Sequence, residues 1–172
     1  ATLATFLGCV KAGHAYIPVD SHSPKERLEI INQIAQPVAC VKAEEVELTV
    51  EIPVIEPTEL AGILEQMVAP IAKDHYVSGA ENFYIIFTSG TTGLPKGVQI
   101  SHDNLVSFVK WMQLDFGLES GATFLAQAPY SFDLSVMSIY PSLSMGGKLA
   151  VLPRQITDNF KELFAALPKD RK

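Results

Sequence analysis

Apolar positions along the chain change period several times, and each change marks an element. Leu3, Phe6, Leu7 and Val10 recur at helical spacing, so Ala1 to Ala12 reads as a buried helix with Gly13 as its C-cap. Ala15 to Val19 reads as a short buried strand, with Pro18 near an edge or strand end. In Ser23-Pro24-Lys25-Glu26, Ser23 is an N-cap, Pro24 fits the first helical position and Glu26 completes a capping box. Leu28, Ile31, Ile34 and Ala35 form the apolar stripe of that helix, and Pro37 ends it. Val38 to Val41 follows as a strand. The order helix, strand, helix, strand predicts an α/β fold, a mostly parallel sheet flanked by helices.

Beyond an acidic, solvated Glu44 to Glu51, a strand is predicted over Ile52 to Ile55 and a helix over Thr58 to Val68. Ala69 to Asn82 has weak patterning and reads as a loop inside one domain. Phe83 to Phe87 is a strand, and Val98 to Ile100 is another. Ser101 caps a helix running to about Gln113, with Leu105, Phe108, Val109 and Met112 on its core face and Asp103 against the helix dipole. Thr123 to Gln127 is a strand, a helix ends near Met145 at Gly146-Gly147, and Lys148 to Leu152 is a further strand. Thr157 to Leu167 reads as a final amphipathic helix before a charged, frayed Lys169 to Lys172.

Composition narrows the classes. A hydrophobic content of 48% over 172 residues suits a packed core and excludes disorder. A net charge of −6, with 13 basic residues scattered along the chain, speaks against a nucleic-acid partner. Cys9 and Cys40 lie in apolar surroundings, and His14, His22, His75 and His102 are far apart. No metal site is therefore expected, and both thiols are expected reduced in a cytoplasmic protein. The apolar start lacks a basic n-region and a cleavage site, and Lys11 interrupts it before it reaches a bilayer's width. The chain opens inside a predicted helix without Met, so its natural beginning is expected upstream.

The densest chemistry lies between the two strands at Phe83 to Phe87 and Val98 to Ile100. Gly90, Gly93 and Gly97 let backbone approach a ligand, and successive N–H groups in such a loop form an anion site. Ser89, Thr91 and Thr92 add hydroxyls and Lys96 adds a charge. All of this suits a polyphosphate. A plain hairpin with an exposed lysine explains the glycines and Pro95 but not the hydroxyls. The spacing is not that of a Walker A loop, because Pro95 precedes Lys96.

Thr88-Ser89-Gly90-Thr91-Thr92-Gly93-Leu94-Pro95-Lys96-Gly97 resembles the phosphate-loop signature of adenylate-forming enzymes, which include acyl-CoA synthetases, luciferases, peptide-synthetase adenylation domains and amino-acid–carrier-protein ligases. The resemblance implies a loop that holds the β- and γ-phosphates of ATP, brought in with Mg2+. It assigns nucleotide binding to Thr88, Ser89, Gly90, Thr91, Thr92, Gly93 and Lys96, and catalysis to Lys96 and Thr92. Lys11-Ala12-Gly13-His14-Ala15-Tyr16-Ile17-Pro18-Val19-Asp20 is similar to a structural block of the amino-acid-activating branch. Ser101-His102-Asp103-Asn104-Leu105 is similar to the segment that follows the loop, and His102 and Asn104 are expected to support it structurally.

Phe132-Asp133-Leu134-Ser135 resembles the family's Phe-Asp-x-Ser motif, whose aspartate holds a substrate α-ammonium by a charge-assisted hydrogen bond. Asp133 also stands where a helix starts, and an N-cap role worth about 1 kcal/mol is the alternative. The segments around Tyr84, Val98 and Pro129 to Met137 are similar to the branch that loads D-alanine onto a carrier protein for teichoic-acid D-alanylation. The implied partners are D-alanine and the phosphopantetheine thiol of a D-alanyl carrier protein. An adenylation domain for another amino acid, a fatty or aryl acyl-CoA synthetase and a non-catalytic nucleotide-binding module are the alternatives. The family's adenine, ribose and C-terminal lysine motifs do not occur before Lys172. The chain is therefore expected to be part of an N-terminal adenylation domain, inactive by itself.

Overall fold

The structure is a computed structural model that describes residues 1–90 and 93–166. It has two compact units, Ala1–Val106 and Ser107–Lys172.

In the first unit, helix α1 (Thr2–Lys11) buries Phe6 and Val10. The ring of Phe6 stacks on Tyr16 at 4.1 Å between centroids, and Tyr16 meets Phe83 edge-on at 6.3 Å. Helix α2 (Lys25–Ala35) buries Leu28 and Ile31. Two short strands, β1 (Cys40–Val41) and β2 (Val54–Ile55), pair in parallel. Lys42 closes that pairing with an ion pair to Glu56 at 3.0 Å. Helix α3 (Pro57–Glu65) follows, with a single 3-10 turn at Lys73–His75.

The centre of this unit is an antiparallel hairpin of β3 (Asn82–Thr88) and β4 (Lys96–Ser101). β3 is buried at Phe83, Tyr84, Ile86 and Phe87, which is why it reads as an unbroken apolar run rather than an alternating one. The predicted strand at Ala15 to Val19 is reduced to one parallel bridge, Tyr16 against Tyr84. Tyr16 donates its N–H to the Phe83 carbonyl at 3.3 Å and accepts from the Ile85 N–H at 3.0 Å.

The capping box predicted at Ser23 does not form. The Ser23 N–H instead donates to the Asp20 carbonyl at 2.9 Å, making a tight turn. Pro24 then takes an extended conformation (φ −53°, ψ 141°) and α2 starts at Lys25 with no side-chain cap. The box forms at the other candidate. The Ser101 hydroxyl and N–H donate to Asn104 Oδ1 at 2.9 and 3.2 Å, and the Asn104 N–H returns to Ser101 Oγ at 3.2 Å. This joins β4 to helix α4 (His102–Asp115) without a connecting loop. Ser101→Ala is expected to lower unfolding free energy by about 1 kcal/mol. A urea midpoint that does not move would exclude the cap as a stabilising element.

In the second unit, β5 (Thr123–Ala126) and β6 (Lys148–Val151) pair in parallel. A 3-10 turn at Asp133–Ser135 and helix α5 (Val136–Ser144) connect them. α5 is buried along most of its length, including Ser138, Ser142 and Pro141. Ser138 donates to the Ser135 carbonyl at 3.0 Å, Ser142 to Ile139 at 2.8 Å and Ser144 to Pro141 at 3.0 Å. Gly147 follows the helix where a Cβ would run into the Ala122 carbonyl, so β6 can lie against β5 only with glycine there.

The helix predicted over Thr157 to Leu167 starts later: Thr157 ends a separate short helix, α6 (Arg154–Thr157), and α7 (Phe160–Ala166) follows. Asn159 divides them: its Oδ1 accepts the Lys161 N–H at 3.1 Å and its amide donates to Glu162 at 3.1 Å. Such local side-chain bonds draw Asn to helix starts and away from helix interiors. Leu167 and Lys169 to Lys172 lie outside the described residues. Among the described residues, no helix is long and apolar enough to cross a membrane.

Candidate functional site

The glycine- and hydroxyl-rich segment is the turn of the β3–β4 hairpin. Thr88 and Lys96 face each other as the last register pair, so the loop proper runs from Ser89 to Pro95. Lys96 therefore stands on the first residue of a strand, where the ladder fixes its backbone, and not in the loop. Its side chain is exposed and has no ion-pair partner among the described residues. Thr88 and Ser89 are exposed at the other side of the loop mouth. Thr91 and Thr92 lie outside the described residues.

Glycine is required at two places. Gly90 has a positive φ of 42°, and a Cβ there would collide with the Leu94 carbonyl oxygen. The Gly93 N–H donates back to the Gly90 carbonyl at 3.3 Å, drawing the loop into a compact arc. At Gly97 a Cβ would come within 3.0 Å of both Ile85 Cγ2 and Phe87 Cζ. The buried Phe87 side chain fills the space that a side chain on β4 would take.

Arg27 was legible in the sequence only as a polar residue of α2. The structure brings its Nη2 to the Phe87 carbonyl, 3.2 Å away and 60 residues on. No local pattern encodes such a contact.

His102 and Asn104 sit where structural roles were expected. Asn104 closes the capping box. The His102 N–H donates to the Glu81 carbonyl at 3.0 Å and its ring lies 6.0 Å from that of Phe83. Its Nδ1 is buried with no hydrogen-bond partner among the described residues.

Asp133 belongs to the second unit. It opens the 3-10 turn before α5, yet neither that turn nor α5 has a side-chain cap hydrogen bond. The turn is closed by Ser135, whose hydroxyl donates to the Phe132 carbonyl at 2.7 Å. Asp133 is exposed between Phe132 and Leu134, which are themselves 58% and 63% exposed. A carboxylate in this setting has its acceptor capacity open and apolar surface on both sides.

Cys9 and Cys40 are free thiols, and burial raises the pKa of both. Raised thiol pKa values make them poor nucleophiles near neutral pH. Among the described residues no cluster of three or more His, Cys, Asp or Glu can hold a metal ion.

A left-handed Gly90 with no room for a Cβ, beside a Lys96 ammonium that makes no ion pair among the described residues, is an arrangement suited to anionic phosphates. The family model described as AMP-binding enzyme matches residues 1–171, and the chain belongs to that family. It is 60% identical over 168 residues to the D-alanine–D-alanyl carrier protein ligase of Lactiplantibacillus plantarum, and 50% identical over 168 residues to that of Streptococcus agalactiae. Each alignment takes in 96% of this chain and 33% of the relative, so the chain spans about a third of those proteins' length. Among solved structures, a holo four-domain nonribosomal peptide synthetase bound to AMP and glycine matches with a TM-score of 0.76 at 28% identity, over 94% of this chain and 12% of that one. The α/β fold expected from the sequence is that of these adenylation domains.

Proposed function

We propose that this chain is part of an AMP-forming ligase that activates D-alanine with ATP and passes it to the phosphopantetheine thiol of a D-alanyl carrier protein, for D-alanylation of teichoic acids. The observation that carries the proposal is the 60% identity, over 96% of the chain, to a relative of that name. The site's chemistry supports it. In this reading the D-alanine carboxylate attacks the α-phosphorus of ATP, giving the acyl-adenylate and pyrophosphate, and the carrier thiol then displaces AMP.

Ser89, Gly90, Gly93 and Lys96 bind the β- and γ-phosphates, together with Thr88, Thr91 and Thr92. Lys96 and Thr92 hold the leaving pyrophosphate as charge builds on it. Their contribution is positioning and charge neutralisation. Asp133 accepts hydrogen bonds from the amino acid's ammonium group and orients its carboxylate. Mg2+ enters on the nucleotide's phosphates, as is usual for that ion, rather than in a protein cage. The need for ATP and a reduced carrier thiol places the reaction in the cytoplasm. A polypeptide of these 172 residues alone is proposed to be inactive in either step.

Activation of another small amino acid is the second reading, favoured by the likeness to a synthetase bound to AMP and glycine. ATP–pyrophosphate exchange on the full-length protein carrying this segment separates the two. Exchange is expected with D-alanine above L-alanine, glycine and fatty acids. Stimulation by fatty acids and not by amino acids would overturn both readings.

A further inference from the structure

We propose that Arg27 is a positioning residue for the phosphate-binding loop, acting through the Phe87 carbonyl. The inference rests on the reading of Ser89 to Pro95 as a nucleotide loop. β3 has two edges. One is paired with β4 through Thr88 opposite Lys96. The other carries the bridge to Tyr16, which uses the Phe83 carbonyl and the Ile85 N–H. Alternate residues of a strand present their N–H and C=O to the same edge, so beyond the bridge the carbonyls of Ile85 and Phe87 stand there, that of Phe87 last before the loop. The Tyr16 bridge is isolated and does not extend that far.

Arg27 fills the gap. Its Nη2 donates to Phe87 O at 3.2 Å in a part-buried setting, and its guanidinium has no carboxylate partner among the described residues. Phe87 is thus fixed at both ends. Its ring is wedged against Gly97, and its carbonyl is held from α2. Thr88 and Ser89 leave directly from that carbonyl. A carbonyl left without a donor would turn toward water, taking with it the last peptide of β3, from which the loop leaves.

The role is conformational, so the test reads nucleotide affinity apart from chemistry. Binding of a fluorescent ATP analogue and amino-acid-dependent pyrophosphate exchange are measured on full-length wild type, Arg27→Met and Arg27→Lys, with melting temperatures alongside. Arg27→Met is expected to weaken nucleotide binding and raise KM for ATP about tenfold, the size of one lost charge-assisted hydrogen bond, with KM for D-alanine within about twofold. Arg27→Lys keeps a donor and is expected to fall between the two. Nucleotide affinity unchanged in Arg27→Met overturns the inference and leaves the nucleotide loop intact. So does an equal loss in both substrates that tracks the folded fraction. If Arg27→Met does not fold, Arg27→Lys decides: weaker nucleotide binding at an unchanged melting temperature supports the role, and unchanged binding overturns it. A wild type that binds no ATP removes the nucleotide reading itself, and this inference with it.

Discussion

Asp133→Ala in the full-length protein is expected to lower kcat/KM for the amino acid by between about 10²- and 10³-fold, equivalent to roughly 3–4 kcal/mol. The size follows from what is lost. An ammonium group moved out of water needs a charged acceptor, and truncating one partner of such a pair leaves the other unpaired. Nothing in the local structure offers a substitute: Phe132 and Leu134 are apolar and the Ser135 hydroxyl is committed to the Phe132 carbonyl. KM for ATP is expected to change by less than about threefold, since the lost bond is to the amino acid and not to the nucleotide. Because Asp133 is exposed and caps neither the 3-10 turn nor α5, the melting temperature should not move. A mutant with normal exchange and a lowered melting temperature would make Asp133 a stabilising helix-start residue instead.

Lys96→Met should act on the other substrate. Its expected effect is a loss of about 10²-fold in kcat/KM for ATP, with most of it in kcat if the ammonium group meets charge that develops as pyrophosphate leaves. Methionine keeps much of the length and the apolar stem, so packing of β4 is little changed. The exposed Lys96 side chain makes no ion pair among the described residues, so no partner is orphaned by its removal. Steady-state exchange at varied ATP and fixed D-alanine gives the split. A rise in KM with kcat unchanged would assign Lys96 to ground-state binding, and no change in either would remove it from the site.

The loop was legible in the sequence because its requirements are local. Gly90, Gly93 and Gly97 are fixed by backbone and by side chains within a single hairpin, and Phe83 to Phe87 is apolar throughout because β3 is buried on both faces. The Ser101–Asn104 cap was legible for the same reason, with two residues three positions apart carrying the whole exchange of bonds. Ser23 carried an equally good signal and failed, because Asp20 captured its N–H first. Competition between neighbouring caps is decided by the turn before the helix, and the helix pattern does not contain it.

Long-range features were not legible. The strands expected at Val38 to Val41 and Ile52 to Ile55 are right in place but shorten to Cys40–Val41 and Val54–Ile55, and which strand each pairs with is not written in either. The strand expected at Ala15 to Val19 was right in place and too long, since only Tyr16 finds a partner. The polar contact of Arg27 with Phe87 joins residues 60 positions apart and leaves no mark on either. For Asp133 the sequence left two roles open, and the absence of a side-chain cap bond in either helical turn weighs against the local one.

The serines of α5 bear on how freely the surroundings of that helix can change. Each of Ser138, Ser142 and Ser144 returns its hydroxyl to a carbonyl three residues back. A hydroxyl bonded across to another element ties a helix to that neighbour and restricts both to substitution in step. For the buried Ser138 and Ser142 that partner is backbone of the same segment, whereas Ser144 also accepts from the Gln113 amide at 3.0 Å. Whatever packs on Ser138 and Ser142 has only a shape to match there, so residues around them can drift in size and type without either hydroxyl being stranded.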